Sequence, residues 1–314
     1  MKIKTGVAYS FYQIGQRGNQ EDARYPNRDE IEAGWRYYAV CDGVGGNEKG
    51  EVASGTVCES IGQWAQAQGG DEGFEKKEME SMLAKCYDDL YAAATENNKD
   101  MATTLTFVTV HDRGVTAAHI GDSRIYHIRP GVGVMYRSDD HSLVNSLVHA
   151  GCLSPEEAID HPRSNVITRC MTADRGEEPS AATVMEIEDV EKGDYFLLCS
   201  DGVLHCIDDH ELVRLLEGTE EDREKMSRLA ERCKNSSDNN TAILVPIAKV
   251  DRGEVLDVDV LGQEMKEPEN SQTIMMDTMQ KTVAEVKAEK RDKQQEGDHK
   301  SGWKKIIGNL FNKR

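Results

Sequence analysis

Four short stretches set an aspartate beside a glutamate, a glycine or an asparagine: Glu21-Asp22, Asp42-Gly43, Asp201-Gly202 and Asp238-Asn239. Grouped carboxylates are what hard divalent cations bind. Three of the four adjoin apolar runs. Tyr37-Tyr38-Ala39-Val40-Cys41 leads into Asp42, Tyr195-Phe196-Leu197-Leu198-Cys199 leads into Ser200-Asp201, and Ala242-Ile243-Leu244-Val245 follows Asp238. An acid at the edge of a buried strand is rarely a packing residue. Several such edges brought together make a rigid acidic pocket, and an all-carboxylate, cysteine-free donor set favours Mg²⁺ or Mn²⁺ over Zn²⁺.

The elements that must position these acids alternate along residues 1–248. Strands are expected at 35–41, 105–110, 115–120, 124–128, 195–199 and 241–247, and helices at 51–68, 75–97 and 211–233. The strands at 105–110, 115–120 and 124–128 are joined by Asp112-Arg113-Gly114 and Gly121-Asp122-Ser123, turns short enough for an antiparallel meander. Two long helices followed by a run of strands point to α+β rather than to repeated βαβ units. Residues 138–179, with their Gly, Pro, His and Asp, read as a flap beside the site.

The 314-residue chain carries a net charge of -19, which argues against a nucleic-acid-binding surface. Its eight cysteines form no CxxC pair, so a reducing, cytoplasmic compartment fits better than a disulfide framework. Met1-Lys2-Ile3-Lys4 is not followed by an apolar run, so no secretory leader is expected. Residues 249–299 are rich in Glu, Lys, Gln and Asp and read as a charged linker, partly helical at 279–295. Residues 300–314 are basic, and Trp303, Ile306, Ile307, Leu310 and Phe311 share one face of a helix. This amphipathic end could lie peripherally on an anionic membrane, dock into a partner or the first domain, or stay solvated.

Read in order, the first domain contains Arg17-Gly18-Asn19-Gln20-Glu21-Asp22, Val40-Cys41-Asp42-Gly43-Val44-Gly45-Gly46 and Ala102-Thr103-Thr104. Gly121-Asp122-Ser123-Arg124, Ser200-Asp201-Gly202-Val203 and Asp238-Asn239-Asn240-Thr241 follow. This ordered series resembles the metal-dependent serine/threonine protein phosphatases of the protein phosphatase 2C family, its bacterial branch above all. The resemblance implies a sandwich of two antiparallel β-sheets flanked by helix pairs, with a dimetal cleft at one end. It also implies roles. Asp42 would bridge two Mn²⁺ or Mg²⁺ ions and the Gly43 carbonyl would ligate one. Asp201 and Asp238 would hold the second, with Glu21 and Asp22 nearby, partly through waters. Asp122, with Asp201, would serve a third, weaker site, and Arg17 would receive the substrate phosphate.

The implied reaction is hydrolysis of phosphoserine and phosphothreonine by a water or hydroxide bridging the two ions. The implied partners are phosphorylated proteins of a cognate Ser/Thr kinase, and a monomer is expected. The chemistry stands apart from the resemblance, because a phosphomonoester dianion repels hydroxide and its site must supply both positive charge and a nucleophile. Arginine suits the remaining phosphate oxygens because its planar guanidinium binds two at once. Val44 stands where many eukaryotic relatives have histidine, leaving a metal-bound water, His141 or His161 as candidate general acids. Ala102 replaces a usual glycine. Thr103 and Thr104 read as strand residues near the site, Arg169 as structural, and Asp139 and Asp140 as caps for a helix starting at Ser142. Two rival readings are a non-catalytic phosphoprotein-binding module on the same fold and a phosphatase for phosphorylated anti-sigma-factor antagonists. The intact set Asp22, Asp42, Asp201 and Asp238 argues against the first.

Overall fold

The apolar runs that read as strands are continuous because the sheets they form are covered on both faces. A computed structural model describes residues 2–44, 49–68, 74–95, 100–159, 161–174 and 178–252. Its first half contains β1 (Lys2–Thr5), β2 (Ala8–Gln13), β3 (Asp22–Tyr25), β4 (Glu30–Ile31), β5 (Tyr37–Val44), α1 (Lys49–Ala67), α2 (Lys76–Ala93), β6 (Ala102–Thr103), β7 (Leu105–His111) and β8 (Gly114–Ile120). Then come β9 (Arg124–Arg129), β10 (Gly133–Arg137), α3 (Leu143–His149), α4 (Pro155–Ile159), β11 (Met171–Thr172) and β12 (Thr183–Ile187). The last are β13 (Tyr195–Cys199), α5 (Asp201–Leu204), α6 (Asp209–Glu217), α7 (Asp222–Cys233) and β14 (Asn240–Asp251).

Two antiparallel sheets result. One runs β10-β9-β13-β14-β2-β4, with β1 also on β14; the other runs β11-β6-β5-β7-β8-β12, with β3 also on β5. Alternate side chains feed different cores. Tyr38 and Val40 meet Phe196, Leu198, Ile243 and Val245 between the sheets. Ala39 and Cys41 face outward onto Ala53, Val57 and Ile61 of α1 and Met82 and Leu90 of α2. Leu197, Cys199 and Leu244 face the other way, onto Leu212, Leu216, Met226 and Leu229 of α6 and α7. The order of layers is helix, sheet, sheet, helix, as expected.

Three local expectations change. The hairpin β7–β8 forms, but β9 leaves it for the other sheet, where it pairs with β13. The turn at 121–123 is therefore a corner between sheets. Residues 211–233 are two helices: Asp208 and Glu211 form a capping box at the start of α6, which ends at Gly218, and α7 begins at Asp222. Ser142 itself caps α3 by accepting from the Asn145 N–H, while Asp140 is taken by Arg124 through two contacts of 2.7 Å. The strand closing the first domain runs on to Asp251. Most of the expected linker and the basic tail, at 253–314, lie outside the described residues.

Candidate metal centre

Both sheets bring acids to one end of the sandwich. Asp22 opens β3 directly across from Asp42 in β5. Asp201 stands just past the end of β13 and Asp238 just before β14 starts; these two strands are neighbours, with Cys199 opposite Ala242. Asp122 lies on the corner between β8 and β9.

The backbone around each acid is tied down. The Thr104 N–H donates to the Asp42 carbonyl at 2.8 Å, and the Asp42 N–H donates to Thr104 Oγ1 at 3.0 Å. Thr103 Oγ1 adds a 2.9 Å bond to the same carbonyl. Thr104 Oγ1 also meets Ser123 Oγ at 2.8 Å, which links the Asp42 strand to the Asp122 corner. Thr103 ends strand β6, whereas Thr104 is the one residue linking β6 to β7; both are fully buried and together they clamp the Asp42 peptide. Gly43 lies against the first turn of α1, where an added Cβ would come within 2.2 Å of the Gly50 carbonyl oxygen. Only glycine permits that approach.

Two side chains outside the expected set organise the rest. Ser200 Oγ donates to Asp22 Oδ2 at 2.8 Å and accepts from the Thr241 N–H at 3.0 Å. Asn239 accepts from the Glu21 N–H at 2.8 Å and donates to the Ile14 and Asn19 carbonyls at 2.9 Å each. Ser200 had a legible signal, since it immediately precedes Asp201 and stands at the N-cap of α5. Asn239 had the same signal, as it immediately follows Asp238, but its partner more than two hundred positions away left no local pattern.

The acids crowd one another. Burial pushes the Asp42 carboxyl well above the usual range, and the charges of Asp22, Asp201, Asp122 and Asp238 push further. Burial lifts Asp22 to about 7; the Thr241 and Ser200 hydroxyls relieve part of this while Asp201 and Asp238 add to it. Asp122 is also lifted to about 7, by burial and by the charges of Asp201 and Asp140. Asp201 is raised by burial, with His205 opposing, and Glu21 by burial, with Arg17 opposing. Asp22 Oδ1 and Asp201 Oδ1 are buried and accept no hydrogen bond. Two such oxygens aimed into an acidic cleft call for a cation. Among the described residues no three His, Cys, Asp or Glu side chains close on a single point. An ion held by fewer than three of these side chains would keep several of its waters.

Arg17 reaches one of these acids. Its Nη2 lies 2.5 Å from Asp238 Oδ2, and about half of its side chain is exposed. The flap histidines do not join. His141 accepts from the Gly121 N–H at Nδ1, meets Thr183 Oγ1 at Nε2 and stacks on His119 at 4.5 Å. Burial holds it down at about 4, so it is neutral near pH 7. His161 Nδ1 accepts from the Arg163 N–H. Gly45 and Gly46 lie outside the described residues.

A family model described as protein phosphatase 2C matches residues 19–242. The chain is 31% identical over 243 residues to the serine/threonine protein phosphatase PstP of Mycobacterium tuberculosis, covering 76% of this chain but only 45% of that protein. With the protein phosphatase PhpP of Streptococcus pneumoniae it shares 34% identity over 247 residues, 76% of this chain and 96% of PhpP. The crystal structure of the Mycobacterium tuberculosis phosphatase PstP superposes with a TM-score of 0.66 at 29% identity, covering 79% of this chain and 100% of that one. A structure of the PstP catalytic domain in complex with two manganese ions gives 0.64 at 26% identity, covering 78% and 100%. The sandwich of two antiparallel sheets agrees with these likenesses.

Proposed function

This chain belongs to the protein phosphatase 2C family, and on that premise we propose that it is a metal-dependent phosphatase acting on phosphoserine and phosphothreonine in proteins. The observation that carries the reading is the buried acid cluster with two carboxylate oxygens, on Asp22 and Asp201, left without hydrogen-bond partners. Asp42, at the centre, would be shared between two ions, with the Gly43 carbonyl on one and Asp201 and Asp238 on the other. Glu21 and Asp22 would act at the edge, partly through water. Asp122 and Asp201 would offer a third, weaker position. Mn²⁺ is supported by the two manganese ions in the PstP catalytic domain, and the all-oxygen donor set accommodates Mg²⁺ equally.

When bound there, the ions supply the positive charge that a phosphate dianion needs and lower the pKa of the attacking water. The chain's own residues do the rest. Ser200, Thr103, Thr104 and Asn239 hold the acids at fixed positions, so little reorganisation is needed at the moment of reaction. Arg17 is exposed enough to release Asp238 and turn its guanidinium onto the phosphate oxygens. His141, neutral and with both ring nitrogens engaged, supports the Gly121 corner and is not the proton donor. The substrates would be phosphoproteins, those of a serine/threonine kinase first. Among the described residues no helix is long and apolar enough to cross a membrane.

The test is phosphate release from a phosphothreonine peptide. Release with Mn²⁺, its loss in excess chelator, and a fall of about 10³-fold in Asp201→Asn are expected. Equal turnover in the variant would remove Asp201 from the ligand set. Folded protein that releases nothing with either metal would point to a phosphoprotein-binding module.

A further inference from the structure

Two cysteines beyond the acid cluster, Cys206 and Cys233, share one hydrophobic core. Cys206 follows α5, the short helix that Asp201 begins, and Cys233 ends α7. Cys233 is fully buried in the core under β13 and β14, and Cys206 is partly buried against the same core. The Cys206 Sγ donates to the Gly202 carbonyl at 3.5 Å, and Arg232 Nε donates to the Cys206 carbonyl at 2.6 Å. The second bond draws the Cys206 backbone to the residue beside Cys233, and the Cys206 thiol is near enough to push the Cys233 thiol up.

We propose that Cys206 and Cys233 form a reversible thiol–disulfide site whose closure is felt at the Asp201 and Asp238 loops. The two thiols have unequal access, which sets the order of events. A low-molecular-weight disulfide such as oxidised glutathione meets Cys206 first. The Cys206 thiolate attacks one sulfur, forms a mixed disulfide and releases one small thiol. Cys233 then loses its proton and attacks the Cys206 sulfur, releasing the second small thiol. The protein loses two protons and two electrons in all, and the reagent gains them. Burial and the neighbouring thiol hold Cys233 above the usual thiol range, so this second step quickens as pH rises.

The molecule contains its own contrast. Cys58 of α1 likewise pushes the Cys41 thiol up, but the two are 5% and 0% exposed, and no small oxidant reaches them in the folded chain. Coupling to the acids follows from contacts. A disulfide must bring the sulfurs to about 2.05 Å, well inside thiol contact. The turn that would move carries Gly202, whose carbonyl also accepts from Ser236 Oγ at 2.8 Å. Ser236 sits two residues before Asp238, and an added Cβ on Gly202 would meet the Asn239 carbonyl oxygen at 1.9 Å, so nothing there can shift alone. The effect on cation binding rests on the metal reading above; the thiol site does not.

The experiment uses the folded full chain with oxidised glutathione, followed by non-reducing digestion and mass spectrometry. The expected product is a Cys206–Cys233 linked peptide lacking two hydrogens, reversed by a phosphine reductant and absent in Cys206→Ser. Calorimetric titration with Mn²⁺ should show binding weakened about tenfold in the oxidised chain and restored on reduction. Free thiols at both positions, or glutathione retained on Cys206 without the link, overturns the site. A link that leaves Mn²⁺ affinity unchanged overturns the coupling. A reduced chain that binds no Mn²⁺ overturns the metal reading instead, and the linked peptide still decides the thiol site.

Discussion

The two ends of β13 carry aspartates of opposite character. Asp194, just before the strand, is 1% exposed. Its carboxylate accepts from His127 Nε2 at 2.8 Å, from Arg129 Nε at 2.9 Å and Nη2 at 3.0 Å, and from the Glu191 N–H at 2.8 Å. Burial alone would raise it; the donors from His127, Arg129 and Glu191 win and hold it at about 2. Past the other end, Asp201 is raised by burial, and the nearby Asp22, 2% exposed, is lifted to about 7. Burial is shared by both ends, so the partners decide the sign. The end with a full set of donors is finished within the chain. The end without them is completed only by something added.

The largest effect should come from breaking the finished end. Asp194→Asn leaves Arg129 and the buried His127 facing a neutral amide, and stability should fall by roughly 3–5 kcal/mol, read from urea unfolding. Phosphate release per folded molecule should be unchanged, because the site lies at the far end of the strand. A cost under about 1 kcal/mol would mean the network is ornamental to the fold.

At the unfinished end the sign reverses. In the metal-free chain Asp22 has its ordinary pKa of 3.8 when unfolded and about 7 when folded. Below the first value both states are protonated and nothing is lost. Between the two the unfolded state ionises alone, and above about 7 the penalty is complete. Stability in chelator should therefore fall from pH 5 to pH 8. Asp22→Asn should flatten that fall and raise stability at pH 8 by about 1–3 kcal/mol. Asp194 does the opposite: its contribution is present above pH 3.8 and lost as pH drops through about 2. An Asp22→Asn chain less stable than the parent at pH 8 would break the contrast.

The finished and unfinished ends also differ in how far the sequence discloses them. The acids at 42, 122, 201 and 238 announce themselves because strands covered on both faces read as unbroken apolar runs bounded by a carboxylate, whereas Asp22 adjoins no such run and is legible only from its place in the ordered series. Asp194 carries no such mark: its partners His127 and Arg129 come from another strand. The edge strands β10 and β12 stayed hidden because most of their residues face solvent. The split at Gly218 does leave a mark, since residues 217–225 hold no apolar residue and the buried stripe of α6 stops before that of α7 begins. The corner at 121–123 looks like a hairpin, since turn chemistry does not say which sheet the next strand will join.

The finest test asks how much a single donor shifts the unfinished end toward the finished one. Ser200 is the one hydroxyl that both bonds Asp22, at 2.8 Å, and ties it to β14 through the Thr241 N–H. Ser200→Ala removes both bonds, so Asp22 rises further and the Thr241 N–H is left unsatisfied in a fully buried place. The stability cost should be about 1 kcal/mol at pH 5. It should be larger at pH 8, because the carboxylate that lost its donor is ionised there. Mn²⁺ affinity should drop by about tenfold, as it does when a group orienting a metal ligand is removed. The pH 8 to pH 5 difference is the informative quantity. If it does not grow, the hydroxyl merely fills space beside Asp22, and the carboxylate gains its ionised form from the cation alone.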